Sequence, residues 1–435
     1  MDQQVISSAA VPPPSKRLGR GMSMAMVVGT MIGSGIYLLP TTLAPYGPNL
    51  LAAFTVTICG TMFLAWTFAR LSARIAGGPF LYVRTAFGDT AAFLTLWSYL
   101  ISQWTGVAAV AVAVGGAIGH VVPGAASGFN LTLVALASII ILTAVNLTGA
   151  RSAGWVQVVA TLIKIVPLVA VVLFVAARLG GGAPVEPLAP VPLTLAGIAA
   201  AAALMLFSLT GFEAATVTAN VTEDPADTVP KATIYGTGLT GLIYLTATVS
   251  TLLLLPSILA AKSSAPFADA IAPILGSAAG GAVAIIAAVS AFGTCNALLL
   301  LSAEVGRSIA GANDLPPLFR RTNAAGVPVG SLLVGATVAA LLVLASTSDS
   351  FVSVYVFIAL VSTVASLILY VACAAAAMKL KVAGRWPLLA LLGLFYALAM
   401  FVGAGLEATL WGVALALAGL PVRWLSRRLA RPDAQ

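Results

Sequence analysis

Two ionisable side chains fall deep inside apolar stretches of the chain, and they frame the chemistry open to it. Lys164 stands at the middle of Ala160-Thr161-Leu162-Ile163-Lys164-Ile165-Val166-Pro167, and Glu213 closes Phe207-Ser208-Leu209-Thr210-Gly211-Phe212-Glu213. In a bilayer a lysine at the centre of a helix costs about 2.5–3.5 kcal/mol, and an unpaired carboxylate costs a comparable amount. Each must therefore be partnered, neutralised or turned towards a cavity. Desolvation disfavours the charged form of a buried amine, so Lys164 is suited to taking and releasing a proton. The competing reading is a permanent ammonium bonded to backbone carbonyls. Glu213 reads as a gating or structural hydrogen-bond acceptor in preference to a direct substrate ligand.

The neighbourhood of Glu213 has a counterpart near the start of the chain, Gly29-Thr30-Met31-Ile32-Gly33-Ser34-Gly35-Ile36-Tyr37-Leu38-Leu39-Pro40. Three glycines and a serine weaken a helix, each glycine by about 1 kcal/mol relative to alanine. A helix unwound at membrane depth exposes peptide N–H and C=O groups, which are costly in lipid and useful where a ligand satisfies them. The N–H groups at a half-helix start suit a carboxylate. Close packing of helices through small residues explains the same composition equally well.

The remaining chemistry-bearing residues invite blander readings. Glu304 and Glu407 fall at span ends, Glu304 within reach of Arg307, and His120 falls at another span end. Gly115 and Gly119 form a G-x-x-x-G spacing that suits a packing groove. Cys59, Cys295 and Cys373 are scattered through apolar runs, with neither disulfide nor metal spacing, and read as small packed side chains. The chain shows no phosphate loop, zinc pattern or nucleophile elbow, so no cofactor, metal or catalytic residue is expected.

The elements that position these residues are apolar helices. Of 435 residues, 60% are hydrophobic and 8% charged, against about 25% charged in a soluble domain. Apolar runs at 22–44, 50–72, 91–120, 129–149, 153–177, 193–217, 231–256, 275–305, 328–346, 351–378, 386–403 and 407–424 are each about long enough to cross a bilayer. Turn chemistry separates them, as at Pro45-Tyr46-Gly47-Pro48, Gly77-Gly78-Pro79, Pro123-Gly124, Gly180-Gly181-Gly182, Asp224-Pro225 and Pro316-Pro317. With the N-terminus in the cytoplasm, eighteen of the 21 Lys and Arg residues fall on the cytoplasmic side; Arg178 and Lys262 fall outside and Lys164 within a span. That asymmetry matches twelve spans with both termini inside. It also explains the net charge of +8 without a nucleic-acid partner, since the bases lie between spans and form no soluble basic face. The first apolar run is too long for a signal-peptide core and reads as a retained span.

An internal echo divides the chain. Gly33 in the first span and Gly211 in the sixth lie five spans apart, and Pro79-Phe80 after the second span is echoed by Pro266-Phe267 after the seventh; each dipeptide opens a short stretch ending at a glycine, Gly88 or Gly276. Repeats of five spans sit upside down relative to each other, as in many secondary transporters.

Four stretches carry a resemblance: Gly-Ser-Gly-Ile-Tyr-Leu-Leu-Pro at 33–40; Gly-Gly-Pro-Phe-Leu-Tyr-Val-Arg-Thr-Ala-Phe-Gly at 77–88; Gly-Phe-Glu at 211–213 with Asn220 and Pro230-Lys231-Ala232 after it; and Leu315-Pro316-Pro317. They resemble the amino acid–polyamine–organocation superfamily of permeases, within which the chain is similar to the bacterial arginine/agmatine antiporter branch. The resemblance implies an all-α polytopic membrane protein with a LeuT-like fold: a tail at 1–21, a first five-helix repeat at 22–180, a second inverted repeat at 190–380, two further helices at 385–425 and a tail at 426–435. It implies a site between the broken first and sixth helices. Ser34 and Gly35 would meet a substrate carboxylate, and Met31, Phe207 and Thr210 would offer carbonyls to an amine, with Ser208 beside them. Tyr99 and Glu213 would form an inner gate. The chain departs from that branch where the branch grips a long cationic side chain: Phe207 replaces a Trp, Val107 stands at an Asn position and Leu298 near a Trp. Those changes fit a neutral, more apolar side chain. Lys164 is similar to the lysine of proton-coupled permeases in the superfamily.

The expected function is a secondary transporter of amino acids across a bacterial inner membrane by alternating access, with uptake coupled to a proton carried by Lys164. The rival is an antiporter that exchanges a basic amino acid such as arginine for its amine product, where Phe207 could contribute a cation–π contact. An intramembrane enzyme would need a catalytic pair at depth, but no Asp or His lies at a span centre. A channel would be expected to show rings of repeated polar residues. Partners are a small amino acid or amine, a co-transported proton and the bilayer, with a homodimer compatible with the family.

Overall fold

The computed structural model describes residues 19–75, 78–122, 128–148, 153–213, 216, 222–345, 351–384 and 386–429. Lys16, Arg17, Gly77, the Pro123-Gly124 turn, Arg151, Asn220, Arg385, Arg431 and the tails beyond 19 and 429 lie outside the described residues. Among the described residues the chain is helical apart from loops and one isolated antiparallel bridge, Thr322 to Pro328.

Each of the twelve apolar runs carries helix, and two further helices of 10 residues each lie between runs. In chain order these are α1 (Arg20–Met31), α2 (Gly35–Leu43), α3 (Asn49–Ser72), α4 (Gly78–Phe87), α5 (Asp89–Val121), α6 (Gly128–Leu147), α7 (Ala153–Gly180), α8 (Leu195–Leu209), α9 (Pro225–Leu254), α10 (Pro266–Leu275), α11 (Ser277–Gly311), α12 (Val329–Ala345), α13 (Phe351–Lys379), α14 (Pro387–Gly403), α15 (Leu406–Leu417) and α16 (Gly419–Leu429). Eight spans among the described residues are long and apolar enough to cross a bilayer unaided, α15 and α16 counting together as one; α1 and α2, bent by 43° at the break between them, make a ninth. Helices α8, α12 and α14 are apolar but only 15, 17 and 17 residues long. The protein is thus an all-α polytopic membrane protein. Nine of the twelve expected spans thus have the length and composition of a crossing among the described residues.

Burial sorts the spans. In α5, 78% of the apolar window is buried, against 28% in α7 and in the α15–α16 span. Helix α5 is therefore a central post, and the others turn large side chains such as Leu173 and Trp411 outwards to lipid. Alanines and glycines let the post sit close to its neighbours. A Cβ on Gly115 would come within 2.7 Å of Leu131 on α6, so at Gly115 the two helices pack closely.

The echo in the sequence has a geometric counterpart. The short helices α4 and α10 each hold 10 residues and end at a glycine with left-handed φ, Gly88 at 85° and Gly276 at 88°. Each glycine then opens a long helix, α5 of 33 residues and α11 of 35. At 1.5 Å per residue these run about 50 Å, longer than the roughly 30 Å hydrocarbon core.

Candidate functional site

Where α1 stops, Ile32 takes φ −72° and ψ 84°, and the helix resumes at Gly35. Where α8 stops, Thr210 becomes extended (ψ 155°) and Gly211 takes φ +105°, a conformation that side chains rarely adopt. The two breaks lie against each other. A Cβ on Gly35 would fall 2.9 Å from the Ser208 Cα, and one on Gly211 would fall 3.3 Å from the Thr30 carbonyl carbon. The Thr30 hydroxyl donates to the Gly211 carbonyl at 3.2 Å. The two explanations open in the sequence thus coexist: the glycines let each helix leave its winding, and they let the two bare backbones touch.

Ser34 immediately precedes α2; the Tyr37 N–H donates to the Ser34 carbonyl at 3.1 Å, and the Gly35 and Ile36 N–H groups before it have no partner within the helix. Its hydroxyl is buried and without a hydrogen-bond partner among the described residues. A narrow, mainly apolar cleft runs from Ser34 and Tyr37 past Ala113 and Ala291 to Phe267 on α10. Phe207 is half-buried, its ring edge-on to Tyr355 with centroids 6.0 Å apart. Two of the three carbonyls expected to take a substrate amine, those of Phe207 and Met31, already have internal donors. The Phe207 oxygen accepts from the Thr210 hydroxyl at 2.7 Å, and the Met31 oxygen accepts from the Gly33 N–H at 2.8 Å and from the Tyr244 hydroxyl at 2.5 Å.

Tyr244, on α9, escaped the sequence reading. Its hydroxyl donates to Met31 O and lies 3.2 Å from Ser208 O, so one phenol ties the two broken helices together. The only sequence signal was a tyrosine in the middle of an apolar run, where its hydroxyl must find a partner. Tyr244→Phe would remove this tie between the two helices and is expected to weaken substrate binding about tenfold, seen as a raised KM, at unchanged membrane insertion. An unchanged KM would show that the phenol has no part in ordering the breaks.

Lys164 reaches this junction from α7. Its Nζ donates to the Ile32 carbonyl at 3.3 Å, and the Tyr37 hydroxyl donates back to the Lys164 carbonyl at 2.5 Å. Among the described residues no carboxylate lies within ion-pair distance of Lys164. The lysine therefore sits against the unwound stretch of α1 itself.

On the far side of the α8 break, Glu213 gathers three donors. Tyr99 donates to Oε1 at 3.2 Å, and the Gly211 N–H and the Tyr370 hydroxyl approach Oε2 at 3.1 and 3.4 Å. Phe68, Phe212 and Tyr370 pack around this plug with ring centroids 5.1–6.0 Å apart. Tyr370, on α13, is a second residue absent from the sequence reading. Gln103 is a third. It lies one turn from Tyr99 and three residues before Gly106 on the same face of α5. Its amide N–H donates to Ser102 Oγ at 3.3 Å, and its buried Oε1 has no partner among the described residues. Val107 and Leu298 are apolar and buried or half-buried, on α5 and α11.

The blander sequence readings also have places in the structure. Glu304 pairs with Arg307 at 2.7 Å. His120 has Asp269 of α10 at 3.6 Å. The three cysteines are free, Cys59 exposed and the other two buried. Among the described residues no cluster suits a metal ion.

Two discontinuous helices thus meet at their breaks, with Lys164 and Tyr244 bonded to the unwound backbone and Glu213 buried beyond the second break. A family model described as amino acid permease matches residues 19–405, and the chain belongs to that family. It is 27% identical over 347 residues to the cadaverine/lysine antiporter of Escherichia coli, covering 77% of this chain and 76% of the relative. It is 27% identical over 455 residues to a putative arginine/ornithine antiporter of Bacillus subtilis, covering 94% and 96%. It is 26% identical over 410 residues to the putrescine transporter PotE of Escherichia coli, covering 92% and 93%. The protein is a transporter, not an enzyme.

Proposed function

We propose that the protein is an antiporter of a bacterial cytoplasmic membrane, exchanging an amino acid with a basic side chain for an amine by alternating access. The observation that carries it is the contact of the two breaks, Gly35 against Ser208 and Gly211 against Thr30, which brings unwound backbone from both helices together at one junction. The carboxylate of an amino acid goes to the α2 start at Ser34 and Gly35. Its amine goes to the carbonyls of Met31, Phe207 and Thr210, displacing the internal donors that occupy two of them. The free Oε1 of Gln103 offers an acceptor for a second ammonium. Tyr99 and Glu213 serve as the inner gate. The α4–α5 and α10–α11 echo supports two inverted repeats, 22–180 and 190–380, rocking about this junction. Exchange is favoured over proton-driven uptake because two of the relatives above carry the name antiporter.

Proteoliposomes decide the mode. Labelled lysine, arginine or ornithine should enter only vesicles preloaded with an amino acid or an amine such as cadaverine, putrescine or agmatine. Equal entry into empty vesicles would refute obligatory exchange. One observation favours a second reading, proton-coupled uptake: the Lys164 ammonium has a backbone carbonyl and no counter-ion among the described residues. Under exchange, Lys164→Ala slows transport about tenfold by loosening the Ile32 stretch, with or without a pH gradient. A gradient-driven uptake that disappears in Lys164→Ala would establish the second reading in its place.

A further inference from the structure

We infer that the protein carries a phosphate-binding site for anionic phospholipid where α16 meets α5 and the loop after α11. Asp314, in that loop, is almost fully buried, and two guanidiniums share its Oδ1: Arg423 at 2.8 Å and Arg427 at 2.7 Å. A third, Arg320, donates to Oδ1 of the adjacent Asn313 at 3.3 Å. One carboxylate thus answers two guanidiniums, with a third bonded to the neighbouring asparagine. Arg423 also donates to the Thr90 hydroxyl at 2.8 Å and lies over the Phe93 ring, yet its Nη2 is buried with no acceptor among the described residues. Asp89, the residue before Thr90, is already bonded to Arg84 at 2.6 Å. Arg428 adds a further charge beside the cluster.

An excess of guanidinium donors with one left unpartnered calls for an anion with several acceptor oxygens, and arginine forks match phosphate geometry. The same helix says where that phosphate comes from. Leu420, Trp424 and Leu425 are exposed at 39%, 56% and 53%, and the Arg428 guanidinium lies 3.7 Å from the Trp424 ring centroid. Exposed apolar side chains, an aromatic and arginines in one short helix at the end of a span place it at headgroup depth. The half-exposed Arg427 and the exposed Arg320 are the groups a headgroup meets first. Bound there, the lipid phosphate ties α16 to the base of α5, the post that also carries Tyr99.

The test measures thermal unfolding of the purified full chain in detergent with added phosphatidylglycerol, phosphatidylcholine or millimolar inorganic phosphate. Phosphatidylglycerol should raise Tm by several degrees more than phosphatidylcholine, with inorganic phosphate giving little. The advantage should shrink by more than half in Arg427→Gln and in Arg320→Gln, each made singly so that the buried Arg423–Asp314 pair stays intact, and should survive in Arg427→Lys. No advantage for phosphatidylglycerol would overturn the site. An advantage kept in both glutamine variants would overturn its location, and equal stabilisation by inorganic phosphate would overturn its assignment to lipid.

Discussion

Gly211→Val should reduce transport by about a hundredfold while the protein still inserts and purifies normally. At φ +105° a β-branched residue is strained by about 1–3 kcal/mol. Its Cβ would also press on the Thr30 backbone from 3.3 Å, and crowding of that kind adds a further cost of about 1 kcal/mol or more. The strain falls where the two broken helices touch, so the cost is borne by the site and not by the bilayer-facing scaffold. At about 1.4 kcal/mol per factor of ten, 3 kcal/mol corresponds to the hundredfold loss. Initial exchange rates in proteoliposomes, normalised to inserted protein, measure it. Wild-type rates would mean that residue 211 can move away from Thr30 without consequence, and that the junction does not form the site.

Glu213→Leu should have an effect of the same size by a different route. The Tyr99 hydroxyl, the Tyr370 hydroxyl and the Gly211 N–H would all lose their acceptor inside a buried aromatic plug. Each orphaned donor costs about 1–3 kcal/mol, so the total approaches the net stability of a domain, about 5–15 kcal/mol. Transport is expected to fall at least a hundredfold and Tm to drop. Glu213→Gln keeps one acceptor oxygen and should lose only about tenfold. The ordering of the two variants carries the argument: equal effects would point to the charge of Glu213, and not its count of accepted bonds, as what matters.

Much of this arrangement was legible in the sequence because the bilayer imposes strict rules on composition. Twelve apolar runs, glycines at Gly33, Gly35 and Gly211, and two ionisable residues at depth marked the helices and both breaks. Helix ends were less legible: α5 begins at Asp89 and α11 runs on to Gly311, because positive-φ glycines and polar final turns extend helices beyond their apolar cores. Tyr244, Tyr370 and Gln103 were missed for a common reason. Each acts through a single polar atom at the end of a side chain that otherwise reads as filler, and its partner lies far away in sequence, as Met31 does from Tyr244. The carbonyls of Met31 and Phe207 were recognised as groups of the break, but that other residues already bond to them is a fact of tertiary packing alone.

The measurement that bears most directly on the whole account is hydrogen–deuterium exchange of the purified protein with and without an amino acid that the exchange assay has shown to be transported. Exchange should slow on binding in peptides covering 29–38 and 205–213, with α12 (Val329–Ala345) unchanged. Protection confined to other helices, with both break segments exchanging as before, would contradict it.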